Sequence, residues 1–131
     1  MKYVDTSFWI AHQFRRDAHH ATARVLWRDF RQPLLTTNLV VGETWTHLNR
    51  RLGHFAGLAF IDGIVRSPRL TVLRVNEDVE REAWTWLRQH DERVYSFVDA
   101  TSFAVMRRRG IREALAFDGD FSAAGFTEVR P

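Results

Sequence analysis

Residues Ala114–Phe126, "ALAFDGDFSAAGF", contain an apolar run that stops abruptly at two aspartates separated by one glycine. The apolar part predicts a strand over 113–117, and the Asp-Gly pair after it predicts a turn. Asp118 therefore stands at the carboxyl end of a strand. Asp5 follows the short apolar strand "KYV" at the start of the chain in the same way. At least two predicted strands thus end in an acidic side chain.

The rest of the chain alternates between segments with strand and helix patterns. Strands are predicted at 2–5, 33–37, 70–75, 113–117 and 126–131. Helices are predicted from near Phe8 and over 17–30, 38–53, 54–67, 77–90 and about 97–110. Strands separated by one or two helices predict an α/β fold, with a parallel sheet of about five strands and helices on both faces. Functional sites in such sheets lie at the carboxyl ends of the strands.

Capping residues predict where the helices begin. Asp5 and the two hydroxyl residues after it can cap the first helix, and Asp17 can cap the second. Asn38 is expected to cap the third helix and Asn76 the fifth. Residues 54–67 keep apolar side chains nearly all round, which predicts a well-buried helix.

Composition places the chain among globular proteins. Hydrophobic residues make up 45% and charged residues 27% of the 131 positions, a balance that predicts one folded domain over residues 1–131 rather than disorder. The absence of cysteine excludes disulfides, thiolate metal sites and cysteine nucleophiles. No segment has the pattern of a signal peptide or a membrane span, so we expect a cytoplasmic protein.

The basic residues are almost all arginine. Lys2 is the single lysine among 19 basic residues. Arginine pairs bidentately with phosphates and stacks on bases, so the composition suits a nucleic-acid partner; a GC-rich genome would produce the same bias. A receiver-like regulatory domain is excluded, because its phosphoryl chemistry needs a lysine late in the chain. A haloacid-dehalogenase-like phosphatase is excluded as well, because "DTSF" stands where its DxDx[TV] motif would follow the first strand.

Four acids are expected at one edge of the sheet. Asp5 and Asp118 end the first and fourth strands, Glu43 lies in the first half of the third helix, and Asp99 lies in the first turn of a later helix. Asp120 is a possible fifth. Carboxylates at close range repel one another unless a cation neutralises them. An all-oxygen set of ligands favours a hard ion, Mg²⁺ or Mn²⁺, which supports phosphodiester hydrolysis.

Each acid also has a purely structural interpretation. Asp5 can be only an N-cap, Glu43 a solvated helix residue, Asp99 the acid of a Ser96-x-x-Asp99 capping box, and Asp118 a turn former. Each of the four is nevertheless preceded by apolar residues, where a solvated acid has no need to be. Competing sites are weaker, because the six histidines form no HxxxH or HExxH pair and no GxSxG or SxxK motif occurs.

The segments "YVDTSFWIA", "VVGET" and "YSFVDATSFAVMRRRGIREALAFDGDFSAAGF" resemble, in this order, those of the PIN-domain ribonucleases. The closest resemblance is to the VapC-type toxins of toxin–antitoxin pairs, and it covers essentially the whole chain. It implies a PIN-like three-layer sandwich and a Mg²⁺ or Mn²⁺ site made by Asp5, Glu43, Asp99 and Asp118. It also implies endoribonuclease activity, with the hydroxyl of residue 6 or 7 supporting the metal site. A non-catalytic PIN-like module that binds RNA or protein is the alternative.

The resemblance also implies partners. The RNA substrate is a tRNA, ribosomal RNA or messenger RNA, the toxin forms a homodimer, and a cognate VapB-like antitoxin holds it inactive. Phe8, Trp9, Phe14 and Trp45 either offer an apolar docking surface for that antitoxin or belong to the core.

Overall fold

A computed structural model describes residues 1–131 and places the five strands in one parallel sheet. The spatial order is β3-β2-β1-β4-β5. The central strand β1 pairs with β2 on one side, where Tyr3 lies opposite Leu35, and with β4 on the other, where Tyr3 lies opposite Ala114. The predicted α/β fold with a five-stranded parallel sheet is confirmed. The strands are β1 Lys2–Val4, β2 Leu34–Thr37, β3 Leu70–Leu73, β4 Glu113–Leu115 and β5 Thr127–Glu128.

Seven helices connect or follow these strands. They are α1 Thr6–Gln13, α2 His20–Asp29, α3 Asn38–Leu52, α4 His54–Arg66, α5 Glu77–Gln89, α6 Phe97–Arg109 and α7 Asp120–Ala123. The connections through α1–α4 move from β1 outward to β3, and the connection through α5 and α6 returns across the sheet to β4. Because parallel crossovers are right-handed, this reversal places α1–α4 on one face and α5–α7 on the other. None of the helices is both long and apolar enough to span a membrane.

Three helix starts differ from the prediction. Helix α1 begins at Thr6, two residues earlier than expected, because the Asp5 carboxylate alone caps it. Helix α2 begins at His20, and Asp17 instead accepts a hydrogen bond from the His19 amide at 2.8 Å in the preceding turn. The cap of α3 is Thr37 rather than Asn38. The Asn38 side chain accepts a hydrogen bond from the Val75 amide at 2.8 Å, so it ties α3 to the segment after β3.

The prediction that 54–67 forms a well-buried helix is wrong. Phe55 is 85% exposed and Val65 is 80% exposed. Only Gly57 and Phe60 of this helix are buried. Helix α4 packs chiefly on α3, where the Trp45 ring lies so close that a Cβ on Gly57 would come within 2.8 Å of it. An apolar helix is thus partnered on one side only.

The core lies between the sheet and helices α1 and α6. Residues Ala100–Met106 of α6 are buried without interruption, which explains why this helix shows no polar face. Phe8 and Trp9 of α1 are also buried, at 0% and 3% exposure. These two aromatics therefore belong to the core and offer no docking surface, which settles one of the two interpretations left open for them.

Candidate metal centre

The strand order reverses between β1 and β4, and Asp5 and Asp118 lie at the carboxyl ends of these two strands. After β1 the chain continues to β2 and β3, and after β4 it continues to β5 on the opposite side. The carboxyl ends of β1 and β4 therefore flank the topological switch point. Crevices at such points are where open α/β sheets bind ligands. The Asp5 amide donates to the Leu115 carbonyl at 3.1 Å, which holds the two strand ends together.

Asp5 is a buried carboxylate at the bottom of this crevice. It is 2% exposed, and its Oδ2 accepts hydrogen bonds from the Ser7 amide at 3.1 Å and the Ser7 hydroxyl at 2.7 Å. Burial, followed by the charge of Asp118, raises the pKa of Asp5 from 3.8 to about 8. The Ser7 hydroxyl also accepts a hydrogen bond from the Phe117 amide at 3.0 Å. Ser7 thus fixes Asp5 against the residue that precedes Asp118.

Asp99 enters the crevice from the first turn of α6. It forms a reciprocal capping box with Ser96: the Ser96 amide donates to Asp99 Oδ2 at 3.0 Å, and the Asp99 amide donates to Ser96 Oγ at 2.9 Å. Burial is the largest of the effects that raise the pKa of Asp99 from 3.8 to about 6, and the charges of Asp118 and Asp120 add to it. The capping-box interpretation is therefore correct, and the capping box holds a buried carboxylate with a raised pKa at the site.

Asp118 and Asp120 lie on a tight turn after β4. Gly119 between them has φ +83°, a conformation that side-chain-bearing residues avoid. The Asp120 amide donates to Asp118 Oδ1 at 3.1 Å. Glu128 of β5 closes the turn by accepting from the Gly119 amide at 3.3 Å and the Ser122 amide at 3.0 Å. The Asp118 side chain is exposed, but partial loss of solvent around its carboxylate, and then the charges of Asp120 and Glu128, raise its pKa.

The structure brings three carboxylates within the reach of one ion. One oxygen each of Asp99, Asp118 and Asp120 lies within 4.8 Å of the others. Asp5 is not one of these three carboxylates, but the negative charges of Asp118 and Asp99 contribute to its raised pKa. An all-carboxylate set of this size fits Mg²⁺ or Mn²⁺, which prefer oxygen ligands. Loss of solvent is the largest cause of the three raised pKa values, and the negative charge of the neighbouring carboxylates adds to it.

Glu43, the fourth predicted ligand, is not part of this group. It is half-buried on α3 and lines a separate cavity of about 390 Å³ with Thr46, His47, Arg50 and Arg51. Its neighbour Thr44 donates to the Thr6 hydroxyl at 3.4 Å, so this turn of α3 adjoins the first turn of α1. Glu43 therefore lies beside the crevice without entering the cluster of aspartates.

Comparison with known proteins gives the family. The PIN-domain family model matches residues 2–127. The chain belongs to the PIN-domain family. The 23S rRNA-specific endonuclease VapC20 of Mycobacterium tuberculosis, known from strains H37Rv and CDC 1551, is 58% identical over 131 residues, which are 100% of this chain and 99% of that protein. The crystal structure of Mycobacterium tuberculosis VapC20, described as a sarcin–ricin loop cleaving toxin, superposes with a TM-score of 0.94. That structure is 56% identical and covers 100% of both chains. The resemblance to PIN domains and VapC-type toxins is therefore confirmed.

Two further residues contact the turn that carries Asp118 and Asp120, and the sequence did not predict them. Arg93 donates from Nε to Asp120 at 2.9 Å and from Nη2 to the Asp118 carbonyl at 3.4 Å. Glu128 adds a carboxylate beneath the turn. Neither lies next to a predicted strand end or helix start, so no local pattern pointed to them. Of the two hydroxyls expected near the metal, Ser7 is the one that contacts Asp5.

Proposed function

We propose that this PIN-domain protein is an endoribonuclease that depends on Mg²⁺ or Mn²⁺, with Asp5, Glu43, Asp99 and Asp118 as its catalytic and metal-binding acids. One observation carries the proposal: three carboxylate oxygens lie within 4.8 Å of one another at the switch point of the sheet. Asp120 joins the four predicted acids because it supplies one of those oxygens. Glu43 is the outermost acid, and Mg²⁺ commonly retains several waters through which such a carboxylate contributes.

The protein's own groups prepare this site for a cation and a phosphate. The Ser7 hydroxyl orients the Asp5 carboxylate, the Ser96 amide orients the Asp99 carboxylate, and the Asp120 amide orients the Asp118 carboxylate. A divalent cation held there lowers the pKa of water and neutralises the charge that develops on a phosphodiester. Without a cation the clustered acids favour protonation, so binding of metal and loss of protons are coupled.

The substrate we propose is 23S ribosomal RNA at its sarcin–ricin loop. Among the tRNA, ribosomal RNA and messenger RNA expected from the resemblance, the similarity to VapC20 over the full length of both chains favours ribosomal RNA. The predicted class, a VapC-type ribonuclease, is confirmed by that similarity. Residues 1–131 act as a single domain in this proposal. A cytoplasmic location follows from the substrate, and a homodimer held inactive by a VapB-like antitoxin follows from the toxin class.

The proposal is tested by incubating purified, antitoxin-free protein with intact ribosomes, total tRNA and messenger RNA. Each reaction is run with Mg²⁺, with Mn²⁺ and with EDTA, beside the Asp99→Asn variant. A single cut in 23S rRNA that needs both the metal and Asp99 would support the proposal. Metal binding without cleavage of any of these RNAs would favour the non-catalytic alternative, and cleavage in EDTA would contradict the metal requirement.

A further inference from the structure

A basic groove lies beside helices α1 and α2, and none of the clustered aspartates lines it. It encloses about 530 Å³ and is the largest of the cavities described above. We call it the α1–α2 groove and define it by its cationic and imidazole side chains, which are His12, Arg15, His20, Arg24 and Arg28. Three of these, His20, Arg24 and Arg28, are spaced by four residues and therefore share one face of α2.

The groove is rich in uncompensated positive charge. No carboxylate is among its lining residues. Arg15 and Arg24 are exposed and form no ion pair, whereas Arg28 pairs with Asp29 at 2.9 Å. Burial, and then the charges of His20 and Arg24, lower the pKa of His12. The groove therefore presents positive side chains that an anion could bind.

One aromatic contact and one shared helix place this groove near the aspartates. The His19 ring stacks on the Phe117 ring with a centroid distance of 4.5 Å and an interplanar angle of 1°. Phe117 immediately precedes Asp118, and His19 immediately precedes the His20–Arg24–Arg28 face, so that face starts beside the candidate metal centre. Helix α1 makes the second connection, because it is capped by Asp5 and carries His12 about 10 Å further along its axis.

We propose that the α1–α2 groove binds the phosphate backbone of the RNA strand as it leaves the metal centre, an inference that rests on the proposed ribonuclease function. A groove whose row of basic side chains begins beside the candidate metal centre matches the charge and shape of a single RNA strand. An acidic peptide is the other polyanion that such a groove could take. RNA is favoured because the His20–Arg24–Arg28 face begins one residue after His19, which stacks on Phe117 next to Asp118, so a strand held at the aspartates would reach it.

The test uses two matched double variants in the cleavage-deficient Asp99→Asn background. Arg15→Ala with Arg24→Ala removes the two unpaired arginines of the groove. The control, Arg66→Ala with Arg88→Ala, removes the same charge from two exposed, unpaired arginines that do not line it. Binding of a fluorescent sarcin–ricin stem-loop is measured by anisotropy over a series of KCl concentrations.

The groove variant is expected to lose about two phosphate contacts. The salt slope of log affinity should then fall by about 1.4, which corresponds to about 25-fold weaker binding at about 0.1 M salt. The control should bind as the Asp99→Asn parent does. Equal affinity and equal slope for both double variants would overturn the proposal. So would a groove variant that keeps its RNA affinity while losing a co-expressed antitoxin, because the groove would then serve a protein.

Cleavage by the wild-type protein is scored separately. If wild-type protein cuts no RNA with metal present, the proposed function fails, whatever the anisotropy shows. If wild-type protein cuts 23S rRNA and the groove variant binds as tightly as the control, the function stands and the groove proposal alone is lost.

Discussion

Arg93 Nε lies 2.9 Å from Asp120 Oδ1, and this is the one ion pair at the cluster of aspartates. The pair joins the segment before α6, the helix that contains Asp99, to the turn after β4 that contains Asp118. The Arg93 guanidinium compensates the charge of Asp120 and leaves the charges of Asp99 and Asp118 without an ion-pair partner. Arg93 therefore partly takes the place of a bound cation in the metal-free protein.

Replacing Arg93 should make the site bind metal more tightly. Arg93→Ala frees Asp120 from its ion pair, and because solvent screens that exposed pair the effect on metal binding should be modest. We expect Mn²⁺ affinity, measured by calorimetry, to rise up to about fivefold. Arg88→Ala, which removes an exposed arginine outside any ion pair, is the control and should leave the affinity unchanged. A fall in affinity for Arg93→Ala would show that Arg93 organises the site rather than competing with the ion.

The metal-free protein should lose stability as pH rises. Folding raises the pKa of Asp5 from 3.8 to about 8 and that of Asp99 to about 6. The folded state therefore binds more protons than the unfolded state between about pH 4 and pH 8, and stability falls across that window. In EDTA we expect the Tm to be several degrees lower at pH 8 than at pH 5, as followed by circular dichroism.

Two comparisons assign this pH dependence to the cluster. Asp5→Asn keeps an N-capping side chain but removes the group with the largest shift, so its Tm should vary less with pH. Mg²⁺ should raise the Tm of the wild-type protein more at pH 8 than at pH 5, because protons compete for the same oxygens. A wild-type Tm that is unchanged or higher at pH 8 in EDTA would contradict the assignment.

Ser7→Ala should destabilise the protein and impair the site together. It removes the donor to Asp5 and leaves the Phe117 amide without its hydrogen-bond acceptor. Because the Phe117 amide is only part-buried, its loss of an acceptor should cost about 1 kcal/mol, at the low end for unsatisfied groups, which urea unfolding can measure. Thr46→Ala, whose exposed hydroxyl bonds only the Gly42 carbonyl of its own helix, is the control and should cost much less. Equal stabilities for the two variants would remove Ser7 from the supporting role assigned to it.

Glu43→Gln and Asp118→Asn should differ in what they lose. Asp118 supplies an oxygen of the three-carboxylate cluster, so Asp118→Asn should weaken both Mn²⁺ binding and RNA cleavage by about 100-fold or more. Glu43 lies outside the cluster, so Glu43→Gln should reduce cleavage by about tenfold or more while changing Mn²⁺ affinity less. An equal loss of Mn²⁺ affinity in both variants would place Glu43 directly on the metal.

The sequence predicted the sheet, its parallel direction and the edge that holds the acids, because strand ends and helix starts are local patterns. Asp5, Asp99 and Asp118 were predicted at this edge in this way, and the structure brings Asp99 and Asp118 together. Asp120 was left as a possible ligand, since a four-residue helix such as α7 is too short to show a periodicity. Arg93 could not be found, because its partners are 25 and 27 positions away and only the fold brings them together.

The contrast between local patterns and long-range contacts also explains the other differences between the predicted and the observed structure. Asn38 has the right residue type for a cap, yet a long-range hydrogen bond to Val75 engages its side chain and Thr37 takes the capping position. The apolar pattern of α4 predicts burial, but burial depends on how many neighbours a helix has, and α4 has chiefly α3. Glu43 lies near the expected edge, because its neighbour Thr44 contacts Thr6, but its side chain lines a different cavity.

The most direct test of the central claim follows Mn²⁺ binding and RNA cleavage in one protein over the same series of Mn²⁺ concentrations. Electron paramagnetic resonance reports free Mn²⁺, and single-turnover cleavage of a sarcin–ricin stem-loop reports activity. If the aspartates form a catalytic metal centre, both curves should have the same midpoint, and Asp118→Asn should lose both. Cleavage that proceeds in EDTA, or Mn²⁺ binding that survives intact in Asp118→Asn, would contradict the account.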